Sequence, residues 1–178
     1  MNAPIIPALQ SETSFMPPER LIKGSTDQVK TSRFSAHGLI EIVMEGDFLN
    51  YWATGPFNEE LFDRFAIAQG RYLKDLNHPT PWASIAIFIG CAMFTPEAIQ
   101  RYAALMASPK PPGFTPVATA FVLGPDIEGA KVMAPHFRKI YRDIHRPFEI
   151  FQTVEEAHQW AQSMLDAINK YGYLTEKQ

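Results

Sequence analysis

Apolar and polar residues change rhythm several times along this chain, and each change marks an element. The run "LIEIVMEGDFLNYWATG" begins with Leu39, Ile40, Ile42 and Val43 and breaks at Gly46-Asp47. It resumes with Phe48, Asn50, Trp52 and Thr54 alternating against Leu49, Tyr51, Ala53 and Gly55. Strand-forming residues on both sides of a two-residue, glycine-containing break predict an antiparallel hairpin. The rhythm then turns helical in "GPFNEELFDRFAIAQGRYLKDL", where Leu61, Phe62, Phe65, Tyr72, Leu73 and Leu76 form one stripe. Asn58 is placed to cap this helix, with Glu59 and Glu60 at the positive end of its dipole. Gly70, inside the helix, suggests a close approach to the sheet.

"WASIAIFIG" is almost continuously apolar, as a strand covered on both faces should be, so it belongs centrally in a partly parallel sheet. Thr95-Pro96 opens the next helix with a hydroxyl at the cap and proline at the first helical position, and "SPKPPGF" closes it. "TPVATAFVLG" reads as a strand and "PDIEGAKVMAPHFRKIYRDIH" as a helix that Pro135 either begins or kinks. "RPFEIF" is a short last strand. In "TVEEAHQWAQSMLDAINKYG" Thr153 and Glu156 form a capping box, Trp160, Met164 and Ile168 share a face, and Gly172 can end the helix. The order is β-β-α-β-α-β-α-β-α. It predicts a single α/β domain with a mixed, mostly parallel sheet of about five strands and about four helices. Residues 1–35, rich in Pro, Ser and Thr with no sustained period, read as an extended or disordered arm. The domain is expected over 36–172 and a tail over 173–178.

The 178 residues suffice for one sizeable core. A net charge of −3 gives no global pull toward nucleic acid or anionic membranes. One cysteine cannot form an internal disulfide, and no apolar run approaches the roughly 20 residues that cross a bilayer. The opening "MNAPIIPALQ" lacks the charge and apolar length of a secretion signal, so the cytoplasm is the expected compartment.

The stretches "GPFNEEL", "PWASIAIF", "TPEAI" and "PFEIFQTVEEAHQWAQSML" resemble the STAS fold, named for sulfate transporters and anti-sigma factor antagonists. The resemblance spans about residues 36 to 168 and is nearest the small bacterial SpoIIAA-like branch, sometimes grouped with SEC14-type lipid-binding domains. It implies a non-enzymatic regulatory or protein-interaction module. Anti-sigma antagonists of this type carry a phosphorylatable serine, in an Asp-Ser-x-Gly context, where the central strand turns into its helix. The matching stretch here, "GCAMFTPEA", has no serine, and Thr95 is its one hydroxyl. Pro96 removes an amide that a phosphate would use, and Glu97 sets a carboxylate beside it. The helix dipole offers about 0.3–1 kcal/mol, against up to about 4 kcal/mol of like-charge repulsion at 4 Å. Thr95 therefore reads as a structural cap.

Other chemistry is sparse. Cys91 follows a glycine at a strand end but lacks the second glycine and the base of a nucleophile elbow. His37, His78, His136, His145 and His158 show no metal-ligand spacing, and no P-loop or G-x-G-x-x-G occurs; no cofactor is expected. Lys131, Arg138, Arg142 and His145 lie opposite Met133, Phe137, Ile140, Tyr141 and Ile144, which reads as a solvated face over a core stripe.

One feature stands against the pattern. The connection after the central strand, Cys91-Ala92-Met93-Phe94, is apolar where a turn should meet water. Ligands of such sheets sit beyond the carboxyl ends of the parallel strands, where the loops offer Phe57, Asn58, Cys91, Met93, Phe94, Thr95 and Asp126. An apolar rim there needs a cover. The chain's own arm, a protein partner or second copy, and a small apolar, lipid-like ligand are the three candidates.

Overall fold

The computed structural model describes residues 24–30 and 35–171. Its sheet has six strands: β1 (Gly24–Ser25), β2 (Leu39–Glu45), β3 (Phe48–Thr54), β4 (Ala83–Ile89), β5 (Thr119–Val122) and β6 (Phe148–Phe151). The helices are α1 (Glu59–Leu76), α2 (Pro96–Ala107), α3 (Ala130–Asp143) and α4 (Val154–Tyr171). From β2 onward the order is the β-β-α-β-α-β-α-β-α expected from the sequence. No helix among the described residues is long and apolar enough to cross a membrane.

The sixth strand comes from the segment read as an arm. Gly24 pairs with Ile42 and Ser25 with Glu41, antiparallel. Thr26 then offers its hydroxyl to the Ile40 amide at 3.0 Å, so a side chain extends the pairing where the backbone leaves it. Two residues carry no hydrophobic period, which is why the pattern missed them. Residues 1–23, with the apolar clusters at Ile5-Ile6-Leu9 and Phe15-Met16, lie outside the described residues, as does Gly172.

Strand order in space equals strand order in sequence. β2 and β3 are antiparallel, and β3 through β6 are parallel. The three crossovers thus each step one strand in the same direction. Crossovers of one hand that advance one way lay their helices on one face. Accordingly α1, α2 and α3 share a core with Tyr51, Ala53, Ala86, Phe88 and Phe121, and α4 covers the other face over Ile85, Ile87, Ala120 and Val122. β4 is buried on both faces for all but its last residue, as its unbroken apolar run requires.

Local signals explain the helix ends. The Thr95 hydroxyl accepts from the Ala98 amide at 3.2 Å, a structural cap. Thr153 and Glu156 cap reciprocally at 3.2 Å each way. The deepest residues of α4 are Ala157, Ala161 and Leu165, with Trp160, Met164 and Ile168 at its flanks; small residues on the axis let the helix approach the sheet. α3 begins at Ala130, so Pro135 lies inside it. Met133, Phe137, Ile140 and Tyr141 are buried, and Arg138 on the outer side meets Glu149 at 2.8 Å. Gly70 departs from expectation: a methyl there would meet open space, so no close approach to the sheet demands it.

Candidate functional site

The apolar connection after β4 is not a water-facing turn. It continues the sheet beyond the strands. The Phe57 amide donates to the Met93 carbonyl at 2.9 Å and the Thr95 amide to the Phe57 carbonyl at 3.0 Å, so Phe57 and Phe94 pair as parallel partners. On the other side Ala92 donates to Glu128 and Glu128 to Gly90, at 2.8 and 2.9 Å. These bonds satisfy the backbone without water, which permits apolar side chains. Gly55 allows the approach: a methyl on it would sit 2.2 Å from the Cys91 carbonyl oxygen.

The seven residues singled out at this end do not form one surface. Phe57, Cys91 and Phe94 point inward and are buried. Met93 is partly buried and packs against Gly129, where a methyl would lie 2.3 Å from its sulfur. The Asn58 side chain does not cap α1. It accepts from the His37 amide at 2.8 Å and donates to the Ser35 carbonyl at 3.0 Å, pinning the segment that enters β2. Thr95 and Asp126 are exposed. Because strand order never reverses, no two loops diverge to open a crevice at this end.

The cover over the apolar rim is the chain's own helices. Phe94 meets Phe57, Phe62, Tyr102 and Phe137 at ring-centroid distances of 5.0, 4.9, 5.9 and 5.1 Å. Beneath these rings lies a cavity of about 60 Å³ between the sheet and α1, α2 and α3. A water needs roughly 10–15 Å³ on this measure, so the hollow is several waters large. Its two ends differ. Toward the carboxyl edge of the sheet the lining is Ile40, Ala53, Phe57, Phe62, Phe88 and Phe94, all buried. Toward the amino edge it is Gln69, Ser84, Thr119, Lys110, Phe114 and Arg146, and four of these are partly exposed. The opening is therefore at the edge opposite the one expected.

Three tyrosines line the middle. The hydroxyls of Tyr102 and Tyr141 are 2.6 Å apart, and Tyr141 also reaches the Met106 sulfur at 3.6 Å. Gln69 donates to the Tyr51 hydroxyl. Burial raises all three phenols, Tyr141 to about 12, so they stay neutral hydrogen-bonding groups at any ordinary pH. At the mouth, Trp82 donates from its indole to the Gly113 carbonyl at 2.8 Å and so holds the loop that carries Lys110 and Phe114. Lys110 donates to the Leu105 carbonyl and to the Ser108 carbonyl and hydroxyl, closing the end of α2. Its pKa is lowered, first by burial and then by the charge of Arg146.

A second cluster was not foreseen. His78 Nε2 meets Asp47 Oδ1 at 2.9 Å and the Thr80 hydroxyl at 2.9 Å, and Thr80 donates to the same Asp47 oxygen at 2.6 Å. It has the residue types of a hydrolytic triad, but both partners meet one ring nitrogen. A base that takes a proton on one nitrogen must be held by the other. The cluster is a clamp between the β2–β3 turn and the entry to β4. The Cys91 sulfur accepts from the Met93 amide at 3.4 Å. No group of side chains among the described residues could hold a metal ion.

These features define an α/β domain with an internal cavity, apolar at one end and polar at its mouth. The chain matches no protein-family model and no curated protein. Among solved structures it is similar to an uncharacterized protein of the DUF3478 family from Shewanella loihica PV-4, described as having a SpoIIAA-like fold. The two are 15% identical, the match covers 74% of this chain and 99% of that one, and the TM-score is 0.45.

Proposed function

We propose that this chain is a non-enzymatic binding module that carries or senses a small ligand with an apolar body, held in the cavity beneath Phe94. The observation that carries this reading is the hollow itself. Well-packed cores leave few voids larger than a water, and a void forfeits dispersion contacts around its whole lining. Aromatic-rich apolar walls at one end and a few convergent polar groups at a partly exposed mouth are the kind of lining that ligand sites have. Its size argues for a small ligand: an engineered apolar cavity that takes benzene measures about 150 Å³.

The test is a titration of the full chain with cyclopropane, an apolar probe smaller than benzene, followed by amide and aromatic resonances. Shifts confined to Phe62, Phe88, Phe94 and Tyr102 support the reading. Ala86→Leu, which sends a larger side chain into the cavity, should abolish them. Shifts scattered over the surface, or unchanged by Ala86→Leu, refute it.

A regulatory contact with a protein partner or a second copy is the other reading. The observation in its favour is Val132, 60% exposed in the first turn of α3 at the same end as Asp126 and Thr95. A Val132→Glu variant that abolishes a concentration-dependent dimer would support it.

A further inference from the structure

We propose that the cavity selects an organic carboxylate with a short apolar body, its headgroup bound at Arg146 and its body directed toward Phe94. The inference rests on the binding reading above and adds the ligand's charge and orientation. Three observations point to it.

Polarity is graded along the hollow. Among the described residues no polar side chain lines the carboxyl-edge end, whereas Gln69, Ser84, Thr119, Lys110 and Arg146 all line the other. A ligand matching that gradient has one polar end, and enters body first.

Among the described residues the mouth also carries two cations and no acid. Among the described residues neither Lys110 nor Arg146 has an ion pair with a carboxylate. They stand close enough for each to raise the potential at the other. Two like charges left together without an anion lower stability, and an anion between them relieves that.

The two cations are not equivalent. The ammonium of Lys110 is already spent on three acceptors at the end of α2, so it supplies field rather than free donors. The Arg146 guanidinium makes no side-chain hydrogen bond among the described residues. Its backbone is fixed, because its amide donates to the Tyr141 carbonyl at 3.1 Å where α3 ends. A planar fork with free donors on an anchored backbone matches the two oxygens of a carboxylate.

The cavity's volume sets the body at about three carbons. Butyrate is therefore the probe, with 1-butanol as its neutral counterpart and acetate as the anion without a body. Affinities for the full chain are measured by calorimetry at neutral pH and low salt. Butyrate should bind at least about tenfold tighter than 1-butanol, and acetate far more weakly than either. Arg146→Gln should erase the preference for butyrate and leave 1-butanol unchanged, while Arg146→Lys restores part of it. Raising the salt concentration should weaken butyrate alone. Equal binding of butyrate and 1-butanol overturns the anion inference while leaving the cavity reading standing. Binding of neither overturns both.

Discussion

Phe57 and Phe94 face each other across the loops that follow β3 and β4, paired backbone to backbone, with ring centroids 5.0 Å apart. That pair closes the carboxyl end of the sheet and roofs the cavity. It explains why the connection after β4 is apolar, since the loop is a buried extension of the ladder rather than a surface turn. The consequence for function is a reversal of direction. The edge where such sheets commonly meet ligands is sealed, and the hollow opens at the other.

Phe94→Ala should cost about 3–5 kcal/mol, because it removes a buried ring that meets four others and leaves a larger void behind. Urea unfolding measures this. The same variant enlarges the existing hollow, so it should admit larger apolar ligands than the parent. A loss under about 1 kcal/mol would mean that Phe94 does not support the roof.

Two glycines should respond in opposite senses. Gly55→Ala forces a methyl against the Cys91 carbonyl, so the paired loops must part; the expected loss is about 1–3 kcal/mol. Gly70→Ala places a methyl in open space on an α-helix and should gain about 0.5–1 kcal/mol. Thermal or urea unfolding of both variants checks the pair.

The Asp47 clamp makes a pH prediction. Its carboxyl lies below the ordinary 3.8, chiefly through the hydrogen bond from Thr80 and then through His78. A carboxyl lowered in the folded state adds stability above its unfolded pKa and loses it as pH falls through the folded one. The gap in unfolding free energy between the parent and Asp47→Asn should be full at pH 6 and shrink below about pH 4. A gap that stays constant from pH 6 to pH 3 would show that ionised Asp47 contributes nothing.

What the sequence discloses and what it hides divide along physical lines. Gly46-Asp47, the Thr95-Pro96 start and the Thr153–Glu156 box act within a few residues, so their chemistry is visible in a short window. The central place of β4 is visible because burial on two faces leaves an unbroken apolar run. β1 is too short to have a period. The cavity was not legible, because Tyr51, Tyr102, Lys110 and Arg146 come from different elements and meet only after three crossovers. A faint signal existed: Ser84 and Thr119 interrupt the apolar strands on one face, and both line the hollow. The carboxyl edge, where ligands of such sheets commonly gather, is closed here because the strand order has no reversal to open it. Asn58 sits at the N-cap position that the sequence predicts, yet its side chain holds the chain before β2 and does not cap the helix.

The central claim is that a real hollow lies under Phe94 and accepts apolar matter. A crystal of the full chain pressurised with xenon tests this without any assumption about the natural ligand. The account predicts a xenon peak among Phe62, Phe88, Phe94 and Tyr102 that disappears in Ala86→Leu. Xenon found only at surface sites, with those four side chains in mutual contact, would contradict it.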